Sequence, residues 1–342
     1  MRQMIDQLKN KFVKSKERIS VGLNIGVSSA KMVKLKVSAE SSEVCGFALA
    51  PSQLDLANVL KELAQAEGLK RVNISVSGQQ AIIRYIDFPK MTAEELKQSI
   101  KFEAQKHIPF PINEVNLDAC ILKDLRDNKM RVLVAAVKKE LLSQRLKLLK
   151  DLGLEVDVVD IDSLALINAF DYSYSQEADV RSKTTALLNI GSATSNLNIL
   201  EDGLPALSRD IIVGGNNFTQ RVADALNVDF KAAEELKTRA EHQKDARVVH
   251  AIEPVLVKLA QDVRTSFDYY ESRSVTSVEK IYLSGGGSLF PGLQESLANF
   301  LSIEVSQWDP FNKILLAPNL DAGKIKAAAG QLAVAVGLAL RS

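Results

Sequence analysis

Residues 21–31, VGLNIGVSSAK, return in altered form at residues 187–196 as LLNIGSATSN. Each stretch is an apolar run that delivers Asn, Ile and Gly in that order, Asn24-Ile25-Gly26 and later Asn189-Ile190-Gly191, followed by small and hydroxyl-bearing residues. Val21, Leu23 and Ile25 alternate before the first glycine. After the turn, Val33, Leu35 and Val37 alternate with Lys34, Lys36 and Ser38. A period of two on both sides of a polar turn predicts strand, tight turn, strand. Small side chains in such a turn let backbone N–H groups point at an anion, and hydroxyls add donors. Two of these hairpins facing each other would clamp a polyphosphate from both sides.

A third loop follows in the same order, IYLSGGGSLFPGL at 281–293. Its consecutive glycines, Gly285, Gly286 and Gly287, allow backbone to lie against a flat base or sugar, and Pro291 is placed to open the next helix. One Gly- and Ser-rich hairpin alone has a purely conformational explanation; the three together are informative. The chain has no GxxxxGK[ST], no GxGxxG after its first strand and no GxSxG, which argues against a P-loop enzyme, a Rossmann site and a hydrolase elbow.

Between these loops the chain alternates strands and helices. A strand at about 44–49, a helix at 54–67 and strands at 72–77 and 81–88 around Gly78 make the opening a mixed α/β layer. Thr92 and Glu95 form a capping box for a helix at 92–107, which Pro109 and Pro111 end. Strands at 117–122 and 130–137 flank a turn at Asp127-Asn128. A helix at 138–152, closed by Gly153, and a strand at 155–161 complete an α-β-β-α-β block that has the character of an inserted subdomain. The second hairpin continues through an Asp202-Gly203 turn. Residues 216–272 are helical, with Gly214-Gly215 before the first helix and a long last helix starting near Pro254. A strand at 280–283 then enters the glycine loop. No long Pro- or Ser-rich linker separates the parts, so packed lobes are expected.

Composition bounds the function. With 46% hydrophobic and 25% charged residues over 342 positions, the chain is an ordinary globular one, and its length suggests more than one domain. Forty-three basic against 42 acidic residues leave a net charge of +1, so no global field points to nucleic acid. Cys45 and Cys120 belong to no CxxC or Cys/His cluster and are expected to be reduced core thiols. His107, His242 and His250 are scattered through charged helical stretches, so metal and redox chemistry are unsupported. The apolar run at 327–340 is interrupted and shorter than the roughly 20 residues of a membrane span, which predicts a buried C-terminal helix. Residues 1–18 carry Arg2, Lys9, Lys11, Lys14, Lys16 and Arg18 against Asp6 and Glu17, with Met1, Met4, Ile5, Leu8 and Phe12 at helical spacing. This basic amphipathic leader lacks an apolar signal core. Contact with an anionic membrane surface is one reading, and a solvated or partner-docked leader is the other.

The three loops resemble those of the actin-like ATPase superfamily. The resemblance narrows to the FtsA-like branch and, within it, to the PilM family of type IV pilus assembly proteins. It is carried by FPKMTAEELKQSIKFEAQKHIPFPINEV at 88–115, SRDIIVGGNNFTQRVADAL at 208–226, AEELK at 233–237, LSGGGSLFPGL at 283–293 and AAAGQLAVAVGLALR at 327–341. It implies an α/β actin-like ATPase (ribonuclease H-like) fold: two lobes around a cleft, with an FtsA-type 1C insertion. The implied parts are subdomain 1A at 19–87 with 161–184 and about 320–342, the 1C-like insertion at 88–160, subdomain 2A at 185–215 and 273–319, and helical subdomain 2B at 216–272. ATP or ADP would lie against Asn24, Gly26, Ser28, Ser29 and Lys31 on one side and Asn189, Gly191, Thr194 and Asn196 on the other. Gly214, Gly215 and Gly285 to Gly287 would complete the site, and Glu234 and Lys237, on one helix face, would contact ribose and adenine.

The resemblance further implies a cytoplasmic scaffold at the inner-membrane face of the type IV pilus platform. A groove between the first lobe and the insertion would receive the N-terminal cytoplasmic peptide of PilN and so link the membrane platform to motor ATPases. Ile108, Phe110 and Ile112, beside two prolines, could present an apolar rim to an extended peptide or could anchor the insertion's core. The sequence also departs from the superfamily. Asn24 and Asn189 stand where Asp residues normally hold hydrated Mg²⁺ and position water. An amide accepts through its oxygen and donates through its NH2 to phosphate, so binding can survive the loss of hydrolysis, and the presence of Mg²⁺ stays open. Asp162 is the remaining acid, either near the cleft or a helix N-cap. An active ATPase and an FtsA-like membrane-anchored filament protein are the alternative functions.

Overall fold

The two hairpins lie in separate sheets of the computed structural model, which describes residues 17–38, 40–52, 55–238, 245–290 and 292–341. The leader helix expected before residue 17, His242 and Pro291 lie outside the described residues. The first sheet is formed by β1 (Arg18–Ile25), β2 (Ser29–Val37), β3 (Ser42–Pro51), β4 (Arg71–Val76), β8 (Glu155–Ile161) and a short β14 (Leu315–Leu316), in the order β14-β3-β2-β1-β4-β8. The second contains β9 (Thr185–Ile190), β10 (Ser195–Glu201), β11 (Leu204–Ile211), β12 (Lys280–Ser284) and β13 (Glu304–Gln307), in the order β11-β10-β9-β12-β13.

The internal repeat extends well beyond the loops. In both sheets an antiparallel meander of three strands is followed by two parallel strands added beside its first strand. Register makes the hairpins comparable atom by atom: Asn24 faces Lys31 across β1 and β2, and Asn189 faces Asn196 across β9 and β10.

Two helices fill the space between the lobes, α4 (Asp162–Tyr174) and the C-terminal α10 (Ala322–Ala339). Their apolar residues share one core with Val33, Leu35 and Val44 of the first sheet and with Leu187, Leu200 and Tyr282 of the second. A helix apolar around its whole circumference belongs in such a buried place. Close approach here depends on glycine. A Cβ on Gly22 of β1 would lie 2.0 Å from the Ala335 carbonyl oxygen, and one on Gly337 would lie 1.8 Å from that of Ala165. Helix α1 (Leu56–Glu67) packs on the other face of the first sheet through Leu60, Leu63 and Ala64.

The insertion between β4 and β8 has a three-stranded antiparallel sheet in the order β5-β7-β6, formed by β5 (Ala81–Pro89), β6 (Val115–Asp124) and β7 (Lys129–Lys138). Helix α2 (Ala93–Ala104) starts at the capping box, with Glu95 N–H donating to Thr92 Oγ1 (3.2 Å) and Thr92 N–H to Glu95 Oε2 (2.7 Å). Asp127 and Asn128 take φ values of 56° and 53°, as a two-residue hairpin turn of the right twist requires. Helix α3 (Lys139–Asp151) leads back to β8. The exposed apolar rim expected at the insertion is not formed by Ile108. That side chain is buried with Phe88, Leu96 and Ile100, because the chain after α2 folds back over β6. Phe110 and Ile112 pack against the same core, with Lys138 Nζ 4.7 Å above the Phe110 ring.

The insertion also touches the second lobe. Tyr85 of β5 and Ser208 of β11 share a hydrogen bond of 2.8 Å between their hydroxyls, and Ser208 Oγ donates to Asn198 Oδ1 (2.6 Å).

The helical part comprises α6 (Gly215–Leu226), α7 (Phe230–Thr238) and α8 (Ala246–Glu271), the last capped by Asp245. The start expected near Pro254 is corrected: α8 begins earlier and carries Pro254 in its interior. Proline removes one helical hydrogen bond, but it sits on the exposed face, while Ala251, Ile252, Leu256 and Leu259 continue the buried stripe past it. A short α5 (Ala178–Arg181) follows α4, and α9 (Leu293–Leu301) follows the glycine loop. Among the described residues no helix is long and apolar enough to cross a membrane.

Candidate functional site: the cleft between the two hairpins

A cavity of about 430 Å³ separates the hairpins. Asn24, Ser28, Ser29 and Lys31 line it from the first lobe. Asn189, Gly191, Gly215, Glu234, Lys237 and Gly285 to Gly287 line it from the second. The other residues expected at the site, Gly26, Thr194, Asn196 and Gly214, are not part of the wall and shape it from behind. Gly26 N–H donates to the Ser29 carbonyl (3.0 Å), and Gly191 N–H donates to the Thr194 carbonyl (3.0 Å), so the two turns share one closing bond. Gly214 lets α6 approach the second turn: a Cβ there would sit 2.7 Å from the Ser192 carbonyl oxygen. Gly215 and Asn216 N–H then donate to the Gly191 and Ser192 carbonyls (2.8 and 2.7 Å). The start of α6 therefore spends these donors on the turn and not on the cavity.

The glycine loop divides its labour. A Cβ on Gly285 (φ 86°) would lie 2.3 Å from the Ile190 carbonyl oxygen and one on Gly287 would lie 2.4 Å from Ile190 Cγ2, so both are required by packing. Gly286 meets only Gln331 at 3.7 Å and is the member with room beside it. Gly285 N–H donates to the Gly330 carbonyl (2.8 Å), tying the loop to α10.

Electrostatics differ from side to side. Lys31 is lowered in pKa by burial, opposed by the charge of Asp162. Asn24 Nδ2 donates to Asp162 Oδ1 (3.2 Å) and Ser75 Oγ (3.3 Å). Asp162 is the first residue of α4 and not its cap; the capping position is Ile161, which makes no side-chain cap bond. Burial pushes the Asp162 carboxyl upward, against hydrogen bonds from Ser75 and Ser77 and the charge of Lys31. On the other side, Asn189 Nδ2 donates to Asn196 Oδ1 (3.2 Å), and Asn189 Oδ1 accepts from Ser284 Oγ (3.2 Å). Asn196 Nδ2 donates to Asp210 Oδ1 (2.6 Å), and Asp210 is pushed upward by burial, against Asn196 and the Gly78 N–H. Lys237 is 8% exposed, and its ammonium meets Glu234 Oε2 (2.7 Å), Thr219 Oγ1 (2.8 Å) and the Gly215 carbonyl (3.2 Å). The ammonium is buried and held by three acceptors while the Glu234 side chain is 44% exposed, so the pair is half-buried and lies between a solvated surface pair and a core one.

The wall also has members that the sequence reading did not name. Phe218 and Phe290 stack at 6.3 Å between centroids with 11° between planes, and Phe230 and Gln331 line the same cavity. No local pattern marks them, since their neighbours in space are distant in sequence.

The donor set fits a nucleotide. The Lys31 ammonium, two serine hydroxyls and the backbone at Gly286 face a cavity of the usual size for a small ligand, with the Lys237 ammonium in the wall but engaged by Glu234, Thr219 and the Gly215 carbonyl. It fits protein-held Mg²⁺ poorly. Asp162 at the Asn24 end is already engaged by Asn24, and Asp210 by Asn196, whereas Mg²⁺ sites usually rely on one or two carboxylates. Among the described residues no group of three His, Cys, Asp or Glu could hold a metal ion.

A second cavity of about 320 Å³ lies behind the first hairpin. Ile25, Gly26, Val27, Ser52, Leu56, Ser75, Val76 and Ser77 of the first lobe form one wall, and Leu141 and Arg145 of α3 form the other.

The sequence profile of the family described as "Type IV pilus assembly protein PilM" matches residues 22–342. The chain belongs to the PilM family. Among solved structures it is similar to the "PilM-PilN type IV pilus biogenesis complex", with 29% identity, a TM-score of 0.85, and 95% of this chain and 99% of that chain covered. It also shares its fold with the ethanolamine utilization protein EutJ from Carboxydothermus hydrogenoformans, at 16% identity and a TM-score of 0.57, covering 100% and 98% of the two chains. A stretch of 121 residues is 29% identical to the chaperone protein dnaK3 of Thermosynechococcus vestitus; it covers 34% of this chain and 17% of the chaperone. The PilM family member described here thus has the actin-like ATPase fold with an FtsA-type insertion.

Proposed function

We propose that this PilM-family chain is a scaffold of the type IV pilus assembly platform, with adenine nucleotide, ATP or ADP, held between its hairpins and turned over weakly or not at all. The observation that carries this reading is the pair of amides at the cleft ends of β1 and β9, Asn24 and Asn189. Each amide keeps the shape of a carboxylate, and neither supplies a charge to hold a metal or orient water. Lys31 and Lys237 would hold phosphate and the ribose end, with Gly286 next to the base or sugar. Phosphate release by the purified chain, measured beside an Asn24→Asp/Asn189→Asp variant, tests this. Slow release by the natural chain is expected, and brisk metal-dependent turnover overturns the reading in favour of a working ATPase.

The likeness to a PilM–PilN complex supports PilN as the partner, and its N-terminal cytoplasmic peptide is the segment we assign to the contact. The cavity between the first hairpin and α3 has the right setting for it, a cleft with apolar walls between first lobe and insertion. Contacts to other platform and motor proteins, and of residues 1–18 to the inner-membrane surface, belong to the same reading and place the chain at the cytoplasmic face. Co-sedimentation with anionic vesicles, with and without residues 1–18, tests the last element, and equal sedimentation of both forms overturns it.

A further inference from the structure

Several arginines in this fold are matched by a carboxylate. Arg71 forks onto Asp157, Arg131 onto Asp87 and Arg247 onto Asp245, and Arg341 Nε donates to Asp160 Oδ2 at 2.6 Å. Arg145 differs. Its Nη1 is buried and has no hydrogen-bond partner among the described residues. It lines the cavity behind the first hairpin, where it is the one charged residue in the wall among the described residues. The acid whose charge it feels is Asp162, whose carboxylate is occupied by Asn24 and by the hydroxyls of Ser75 and Ser77. Burial lowers the pKa of Arg145, showing that the cation is held partly out of water. A desolvated guanidinium with a free donor is costly, and an oxygen acceptor removes the cost.

We infer that Arg145 is the polar anchor of the peptide groove, taking an acceptor oxygen from an extended, otherwise apolar segment laid between α3 and the β1–β2 turn. The inference rests on the groove assignment made above. Val27, 65% exposed at the tip of the turn, Leu56, Val76 and Leu141 supply the apolar walls, and Ser77 is a second polar wall residue. The acceptor is a carboxylate, a side-chain amide or a main-chain carbonyl. These share the oxygen that a guanidinium recognises, and a carboxylate alone accepts both arms of the fork.

The test is calorimetric titration of the full chain with a synthetic peptide covering the cytoplasmic N-terminus of PilN from the same organism. Arg145→Gln is expected to weaken binding by about ten- to a hundredfold, as loss of a hydrogen bond to a charged group does. Leu141→Glu, which places a carboxylate on the same α3 wall one turn before Arg145, where it charges the apolar lining and can take the guanidinium itself, is expected to abolish it. A melting curve and nucleotide titration of each variant report on folding, and Arg145→Lys stands in where Arg145→Gln does not fold. Alanine replacements of each Asp, Glu, Asn and Gln in the peptide identify the acceptor. One that weakens binding to the natural chain but not to Arg145→Gln assigns a side chain, and none doing so, with Arg145→Gln still weak, assigns the main chain. Unchanged affinity in Arg145→Gln with binding lost in Leu141→Glu overturns the anchor and leaves the groove. Unchanged affinity in both, or no binding by the natural chain, overturns the groove and the anchor together.

Discussion

The two phosphate hairpins are built from the same strands, close with the same bond and end in the same Asn-Ile-Gly, yet one is open and the other is clamped. Across the strands from Asn24 stands Lys31, an ammonium facing the cavity; across from Asn189 stands Asn196, buried and bonded to Asp210. The second turn is held by the first residues of α6 through Gly215 and Asn216 N–H. The first turn has space on both sides, with Ser28, Ser29 and Lys31 facing the cleft and Gly26 and Val27 facing the cavity beside α3. Duplication therefore fixes the backbone, while one residue per hairpin decides whether the loop carries charge to a ligand or spends its polar groups on rigidity.

The strongest way to break this comparison is at the footing of each hairpin. Gly22→Ala drives a methyl into α10, and Gly285→Ala drives one into Ile190 while demanding a left-handed backbone. Each is expected to cost about 3 kcal/mol or more of stability by denaturant unfolding, at the upper end of overpacking penalties. The next largest effect separates the hairpins by role. Lys31→Met is expected to weaken ADP binding by about ten- to a hundredfold with little change in stability. Asn196→Ala should do the reverse, costing about 1 to 3 kcal/mol by stranding Asp210 and Asn189 while changing ADP affinity by less than about threefold. Matching effects of the two variants on ADP binding would erase the distinction.

Smaller changes sharpen it. Tyr85→Phe removes the hydroxyl contact to Ser208 and is expected to cost about 1 kcal/mol, seen in the unfolding midpoint. The mildest effect is one of pH. Asp162 and Asp210 are both raised above an ordinary value of 3.8, so the folded chain holds their protons more tightly than the unfolded chain does. The stability they contribute is complete below that ordinary value and declines as pH rises through the raised ones. Asp162→Asn and Asp210→Asn should each flatten the fall in unfolding midpoint as pH rises above the ordinary value of 3.8; an unchanged slope in either would show that its carboxyl is not protonated preferentially in the fold.

Legibility in the sequence followed the range of the interaction. Thr92 with Glu95, Asp127-Asn128 and Asp202-Gly203 act within a few residues, so their caps and turns could be placed directly. The Asn-Ile-Gly repeat disclosed the matched sheets because two strands in each hairpin carry the same period. Helix α4 entered only as the helix that Asp162 would cap, since its buried positions include Ser163 and Ser173 and so follow no apolar stripe that can be counted. Pro254 misled because a proline on the exposed face of a long helix costs one bond and breaks nothing. Phe218, Phe290 and Gln331 in the cleft, and Arg145 beside the first turn, are brought together by tertiary packing alone. The apolar triplet Ile108, Phe110 and Ile112 showed hydrophobicity without showing which way it faces.

The contact between insertion and second lobe has a mechanical meaning. Lobes joined only by α4 and α10 would swing like a door about one edge. Tyr85 against Ser208, and the Gly78 N–H against Asp210, fasten them at a second, separate place. A door pinned at two distant corners no longer swings freely; the cheapest movement left to it is rotation about the line through both pins. Any opening of the lobes in this chain must then stretch the Tyr85–Ser208 and Gly78–Asp210 contacts.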